Sequence, residues 1–374
     1  MKILFVANVA KEHIIKFHLP TIKVFKQNGW IVDVACSGKE VIPFCDFQYH
    51  TSWRRSPFTF ATFKGISQLK RIINQGKYDV VYCHTPLGGL VSRIAAQKAR
   101  KTGTKVIYCA HGLHFYKGAP LINWLIYYPI EWFLSYYTDL LMTVNNEDFL
   151  TVKRRFPSTV NVKLVPEVGV DIKRLKVDNP AEIRIKYRKS LNIPNDAIVL
   201  IYVAELIKNK NQGLLIDALK ILLHNKVNTY LILPGPDHAD GKYQRRANIL
   251  GLSEKVKFLG WRNDIGELLY TSDIYVASSL REGFGINLLE AMHCGLPVVA
   301  TKNRGHKTLI KHNINGYITE SNSAEEIAFY IEKLCDDPKL IKEISKIDVS
   351  EYDADCISRK LFKIIISSTL NCMG

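Results

Sequence analysis

Short apolar runs alternate with helix-like stretches along the whole chain, and each run closes on polar residues. In the first half the runs are Ile3–Val6, Ile31–Ala35, "YDVVYCH" at 78–84, "KVIYCAHG" at 105–112 and "DLLMTVN" at 139–145. Between them, Leu19–Gln27, closed by Gly29, and Leu90–Lys101 carry helical patterns. Apolar runs without polar alternation are the signature of strands covered on both faces. With helices interposed they predict βαβ units around a parallel sheet.

After "NVKLVPEVGVD" (161–171) the plan restarts. "AIVLIYVAE" (197–205), "TYLILPGP" (229–236), "KVKFLGW" (255–261), "DIYVASS" (273–279) and "PVVAT" (297–301) read as strands. Gln212–His224 and about Gly285–Cys294 read as helices. A chain of 374 residues exceeds what one core of about 250–300 residues serves. The expectation is therefore two Rossmann-like α/β domains, residues 1–170 and 171–353, facing a cleft. A last helix, within about 354–374, crosses back to the first domain. In such sheets ligands sit beyond the carboxyl ends of the strands. Asn8, His84, His111, Asn145, Glu205, Gly235, Ser278 and Ser279 stand at those ends.

Composition removes several classes. With 47% hydrophobic and 23% charged residues the chain is neither disordered nor fibrous. No apolar stretch reaches the ~18 residues of a membrane span. The opening "MKILFVANVAKEH" lacks a small-residue cleavage site and reads as a strand, not a leader. Eight cysteines, none in a C-x-x-C pair, point away from zinc sites and disulfides and toward a reducing cytosol. The net charge of +16 is unevenly spread. Residues 1–170 hold 22 Lys and Arg against 10 Asp and Glu, a net +12, and the remainder hold 29 against 25, a net +4. A basic first half suits nucleic acid, an anionic membrane surface or a phosphorylated substrate, or serves solubility alone. No zinc-finger spacing or RNP-type motif supports nucleic acid. The segment "LINWLIYYPIEWFLSYY" (121–137), dense in Trp, Tyr and Leu, reads equally as a membrane-touching surface or as a buried or partner-covered helix.

The chemistry concentrates in "SSLREGFGINLLEAMHCGLPVVAT" (278–301). Glu282 closes the loop after a strand, and Gly283, Phe284, Gly285 and Ile286 open a helix. A helix start carries unpaired N–H groups and about half a positive charge, so it holds phosphate. Glycine lets backbone approach the ligand. Glu282 beside such a site would accept hydrogen bonds from sugar hydroxyls, and Glu290, two turns on, from a ribose. Without the strand–glycine–helix context, two glutamates eight apart would be ordinary solvated carboxylates.

This block resembles the E-x7-E region of the retaining GT-B glycosyltransferases of family 4. "HTPLGGLVSRIAAQKARKTGTKVIYCAHGLHFYKGAP", "YYPIEWFLSYYTD" and "AELIKNKNQ" are similar to the capsular and exopolysaccharide branch in particular. "F-x-G-W", "SDIYVASS" and "G-L-P-V-V-A-T" match the family broadly. The resemblance implies sugar transfer, with retention and without a metal or other cofactor, from a nucleotide-diphosphate sugar, a UDP-sugar by preference. The acceptor it implies is a lipid-linked or saccharide one, and the basic first domain favours a polyprenyl-diphosphate-linked sugar. The setting is the cytoplasmic face of an anionic membrane, with the protein peripheral to it and no nucleic acid involved. Lys210 would neutralise the diphosphate, His111 would stand near the reacting sugar carbon, and Arg262 would border the nucleobase. Asn8, Lys11, Lys16 and His18, on the loop after the first strand, would meet the acceptor.

Three departures bear on the donor site. Glu205 stands where related chains often carry Arg, so one phosphate cation is missing; either Lys208 replaces it or Glu205 faces the acceptor. Thr308 stands where Glu is frequent, and the first loop lacks paired glycines. The D-x-D of Asp353 and Asp355 precedes the last helix and reads as capping carboxylates, not as a metal site. No G-x-G-x-x-G follows the first strand, which lowers a nicotinamide or flavin reading. Two other functions remain open at this point: a UDP-sugar epimerase on the same plan, and a non-catalytic basic protein that binds membranes or nucleic acid.

Overall fold

The computed structural model describes residues 1–51, 53, 60–344 and 348–370. It divides into two compact units, Met1–Gly169 completed by the C-terminal helix Ala354–Leu370, and Val170–Asp353.

The first unit is built on a seven-stranded sheet. Its strands are β1 (Lys2–Val9), β2 (Ile31–Ser37), β3 (Phe47–His50), β4 (Val80–His84), β5 (Lys105–Ala110), β6 (Leu140–Thr143) and β7 (Asn161–Leu164). They are all parallel, in the order β3-β2-β1-β4-β5-β6-β7. Every residue of β4 and β6 is buried, as expected where helices cover both faces of a sheet. The chain leaves β1 in one direction and later resumes beside it with β4. This reversal opens a crevice at the carboxyl ends of β1 and β4. His84 ends β4 there, and Asn8 lies near the end of β1.

The C-terminal helix closes this unit. Ile357, Leu361 and Ile365, four residues apart, form its buried stripe. Phe362 meets Phe25 edge to face at 4.8 Å between ring centres. Ser358 and Thr21 pair their buried hydroxyls at 3.1 Å. A further brace is ionic: buried Arg93 holds Glu131 at 2.8 Å and lies over the Tyr108 ring at 4.0 Å.

The second unit repeats the plan with six strands. They are β8 (Ile198–Ile201), β9 (Thr229–Pro234), β10 (Val256–Gly260), β11 (Ile274–Ala277), β12 (Val298–Ala300) and β13 (Tyr317–Ile318). They run parallel in the order β10-β9-β8-β11-β12-β13, and the reversal falls between β8 and β11. The loop after β11 carries Glu282.

One expectation needs correction. The stretch following the first strand is not a loop. Strand β1 continues to Val9, and Ala10–His18 forms a wide π-type helix that runs directly into the helix Leu19–Gln27. Such wide helical turns are rare and concentrate near functional sites. Here the segment delivers His18 to the crevice while Lys11 and Lys16 stay on its exposed side.

Candidate functional site

In the second unit, Glu282 is the hub. Lys210 Nζ lies 2.5 Å from Glu282 Oε1, and Ser279 Oγ donates to the same oxygen at 2.5 Å. Behind Ser279 stands the Tyr202 hydroxyl, also at 2.5 Å. Burial pushes the Glu282 carboxyl up, but Lys210 and Ser279 outweigh it and hold the group below the ordinary carboxylate range. Glu282 is thus ionised at neutral pH with a cation against it, a fixed dipole inside a largely dry pocket wall.

The backbone around this pair is tied down on both sides. Leu280 N–H donates to the Asn209 carbonyl at 2.8 Å, and Asn209 Nδ2 donates to the Arg281 carbonyl at 2.9 Å. Ser278 Oγ donates to the Lys210 carbonyl at 2.7 Å. The loop that carries the lysine and the loop that carries the glutamate are therefore laced together. Sequence distance hides this coupling, since 72 residues separate Lys210 from Glu282.

Immediately beyond, Phe284 turns inward and is buried, and Gly285 adopts φ 115° before the helix Ile286–His293. That backbone conformation suits glycine alone. The helix has no side-chain cap, and within its first turn Leu288 N–H donates to the Gly285 carbonyl at 3.0 Å. Gly305 seals the back of the loop. A Cβ there would lie 2.6 Å from Glu282 Cβ and 2.8 Å from the Phe284 carbonyl oxygen. Asn303 and buried His306 complete the wall: Asn303 Oδ1 accepts from His306 N–H, and Asn303 Nδ2 donates to the Ser279 carbonyl at 3.0 Å. Burial holds His306 below the usual imidazole range, so it is a neutral part of this wall.

The remaining donor-side candidates divide. Glu290 is buried and pairs with Arg174, a partner that sequence reading did not anticipate. Arg262 is already engaged: its Nε reaches Asp264 at 2.7 Å, and Tyr187 donates to the same carboxylate at 2.7 Å. Asp264 is held down to about 2, first by Arg262. Glu205 and Lys208 are exposed on the loop after β8.

In the first unit, three imidazoles converge at the crevice. His18 stacks on His84 at 3.8 Å between ring centres, and His84 Nδ1 lies 3.3 Å from His111 Nε2. His111 Nδ1 is bonded to Glu167. Burial pulls His18 and His84 well below the usual imidazole range, so both are neutral. His111 goes the other way, because the Glu167 carboxylate more than offsets its burial. Asn8 joins the same crevice through Thr85, whose Oγ1 donates to Asn8 Oδ1 at 2.9 Å. Sequence analysis placed His84 among the strand-end residues without a role and did not include Glu167. For His84 its place at a strand end was the available signal, whereas nothing in the local sequence marks Glu167.

Nitrogen atoms of His18, His84 and His111 lie within 4.8 Å of one another, close enough to raise the question of a cation. The ring arrangement fits a hydrogen-bonded stack better. Ligands direct lone pairs at a common point about 2 Å away, but here His18 offers its face to His84, and His84 and His111 direct nitrogens at each other.

Two family models cover most of the chain. Residues 2–145 match "Glycosyl transferase 4-like" and residues 183–348 match "Glycosyl transferases group 1". The chain is 41% identical over 345 residues to the putative glycosyltransferase EpsD of Bacillus subtilis, spanning 92% of this chain and 90% of that protein. It is 27% identical to a UDP-Gal:alpha-D-GlcNAc-diphosphoundecaprenol alpha-1,3-galactosyltransferase of Escherichia coli, over 76% of this chain and 73% of that one. Among solved structures, Anabaena Alr3699/HepE in complex with UDP and glucose superposes with a TM-score of 0.81 at 22% identity, covering 98% of this chain and 100% of that one.

Proposed function

Because the chain belongs to the GT-B glycosyltransferases, we propose that it transfers a hexosyl or N-acetylhexosaminyl group from a UDP-sugar, with retention, to a lipid-linked acceptor in surface-polysaccharide assembly. The observation that carries this reading is the ion pair of Lys210 and Glu282 beside the uncapped start of the helix Ile286–His293. The reading is supported by a cation, a helix start and a carboxylate carried on one laced loop pair. A diphosphate needs the first two and a hexose needs the third.

On this reading the bond from the sugar's anomeric carbon to the diphosphate oxygen breaks, and a bond from that carbon to the acceptor oxygen forms on the same face. The acceptor's proton passes to the departing phosphate. Lys210 and the N–H groups of Gly283 to Ile286 take up the charge on the leaving group, the kind of preorganised stabilisation that contributes about 3–4 kcal/mol per donor. Glu282 accepts from sugar hydroxyls and Glu290 from the ribose. His111, which Glu167 holds above the usual imidazole range, stabilises charge near the reacting carbon. No step requires a metal ion. The polyprenyl-diphosphate acceptor is supported by the name of the Escherichia coli relative and by the basic first unit.

The test uses purified protein, a panel of UDP-, GDP- and ADP-sugars, and a polyprenyl-diphosphate-linked sugar. Release of UDP with gain of one sugar by the acceptor, in the donor's anomeric configuration by NMR, is the expected result. Absence of UDP binding by calorimetry, or a new free nucleotide-sugar isomer formed without acceptor, defeats the proposal.

A further inference from the structure

The helix Leu121–Ser135 is apolar on both sides. Its inner side is accounted for: Trp124 and Tyr128 pack on Phe115, Leu134 is buried, and Glu131, its single charged residue, is buried against Arg93. On the outer side the ring contacts are local to the end of the helix, Trp132 with Tyr136 and Phe133 with Tyr137. Leu121 is 81% exposed, Leu125 71% and Phe133 53%, with Ile122, Ile126 and Trp132 also exposed beside them. A helix hydrophobic all round is either buried or in contact with lipid. A contiguous apolar face of this kind on a soluble surface marks an interaction site.

Its border is basic. Arg155 lies over the Trp124 ring at 5.3 Å, and Lys153, Arg154 and Arg155 form the exposed last turn of the helix Asn146–Arg155. Lys117 is exposed just before the apolar helix begins. Aromatic and aliphatic side chains flanked by Lys and Arg are the arrangement that seats a helix at a headgroup boundary. Fifteen residues give a rod of about 22 Å. No described helix is long and apolar enough to cross a bilayer.

We propose that the helix Leu121–Ser135 lies in the plane of an anionic membrane, with Leu121, Leu125 and Phe133 in the acyl boundary and Lys153, Arg154 and Arg155 against the headgroups. Charge selects this occupant: the face itself carries no charge, its border is cationic, and the net +12 of residues 1–170 favours an acidic surface. The inference is independent of the donor chemistry, and its readout involves no turnover.

The experiment is co-sedimentation of the full chain with vesicles of phosphatidylcholine alone or mixed with phosphatidylglycerol. The wild type should pellet with the mixed vesicles, and added salt should weaken that binding. Leu121→Ser with Leu125→Ser should bind at least about tenfold more weakly while keeping its circular dichroism and its affinity for UDP. Arg154→Glu with Arg155→Glu should lose the preference for the acidic lipid. Three results would overturn the proposal: wild type left in the supernatant, equal binding to neutral vesicles, or unchanged binding by the serine variant. A concentration-dependent dimer in light scattering, abolished by the serine variant while no vesicles are bound, would assign the face to a second copy instead.

Discussion

Replacing Lys210 by alanine separates stability from chemistry at one residue. The pair Lys210–Glu282 spans 2.5 Å, with the side chains 20% and 16% exposed. Removing one partner of a fully buried pair costs about 3–5 kcal/mol, and a partly wetted pair such as this should cost about 1–3 kcal/mol. In a unit of this size about 2 kcal/mol lowers the melting temperature by roughly 4–8 °C. Turnover should fall further, by about 10²–10³-fold, as expected when a preorganised donor to a leaving group is lost.

The pH dependence of the stability loss identifies its cause. In the wild type the folded Glu282 titrates below its unfolded value, so its contribution is present above the ordinary carboxylate range and disappears as pH falls through the lowered value. Without Lys210 the balance tips toward burial. The carboxyl then titrates above its unfolded value, and the variant's deficit shrinks as the solution is acidified through about pH 4–5. Adding Glu282→Gln to Lys210→Ala should restore most of the melting temperature and none of the turnover. Steady-state assays with saturating donor and thermal melts between acid and neutral pH decide the matter. Wild-type turnover in Lys210→Ala would refute the role of the lysine, and a deficit that does not vary with pH would refute the electrostatic account.

Glu167→Gln removes the group that raises His111. In the wild type the stabilisation from that pair is full below the ordinary imidazole range and lost as pH rises through the raised value. In the variant His111 should titrate lower by NMR, turnover near neutrality should fall about tenfold, and activity should recover toward acid; an unchanged pH–rate profile would sink this assignment. Gly305→Ala forces a methyl group against Glu282 Cβ at 2.6 Å and the Phe284 carbonyl oxygen at 2.8 Å, so the loop must shift at a cost of about 1–3 kcal/mol. Calorimetry should show weaker UDP binding, and wild-type affinity would show that the loop tolerates the change. Glu131→Ala strands the fully buried Arg93 and should lower unfolding stability by about 3–5 kcal/mol in urea titration, a loss that Arg93→Met added to it should largely relieve; a wild-type midpoint would refute the brace.

What could be read from sequence follows from which forces leave local traces. Strands β4, β6 and β11 are buried along their whole length, and their continuous apolar composition made them visible. The edge strands β3 and β7 are partly exposed, and β13 has only two residues, so their composition resembled loop. The π-type segment Ala10–His18 escaped because its polar and apolar residues do not follow the period of an ordinary helix. At the candidate site, Glu282, Gly285 and Glu290 share one helix start, and their spacing exposed them. Arg174, 116 residues from Glu290, and Glu167, 56 residues from His111, are brought in only by the fold. The same physics explains Lys11 and Lys16: position after the first strand drew attention to them, but the helical turn sends them outward and His18 inward.

Because Phe362 and Ser358 complete the packing around Phe25 and Thr21, the amino-terminal unit finishes last. On the ribosome, the later-made unit has all its strands before the earlier one receives its closing helix. Until that helix is made, the face that will hold Ile357, Leu361 and Ile365 stays uncovered. Trimming the carboxyl terminus would therefore damage the histidine-bearing unit, while leaving the covalent chain of the unit that carries Lys210 and Glu282 untouched.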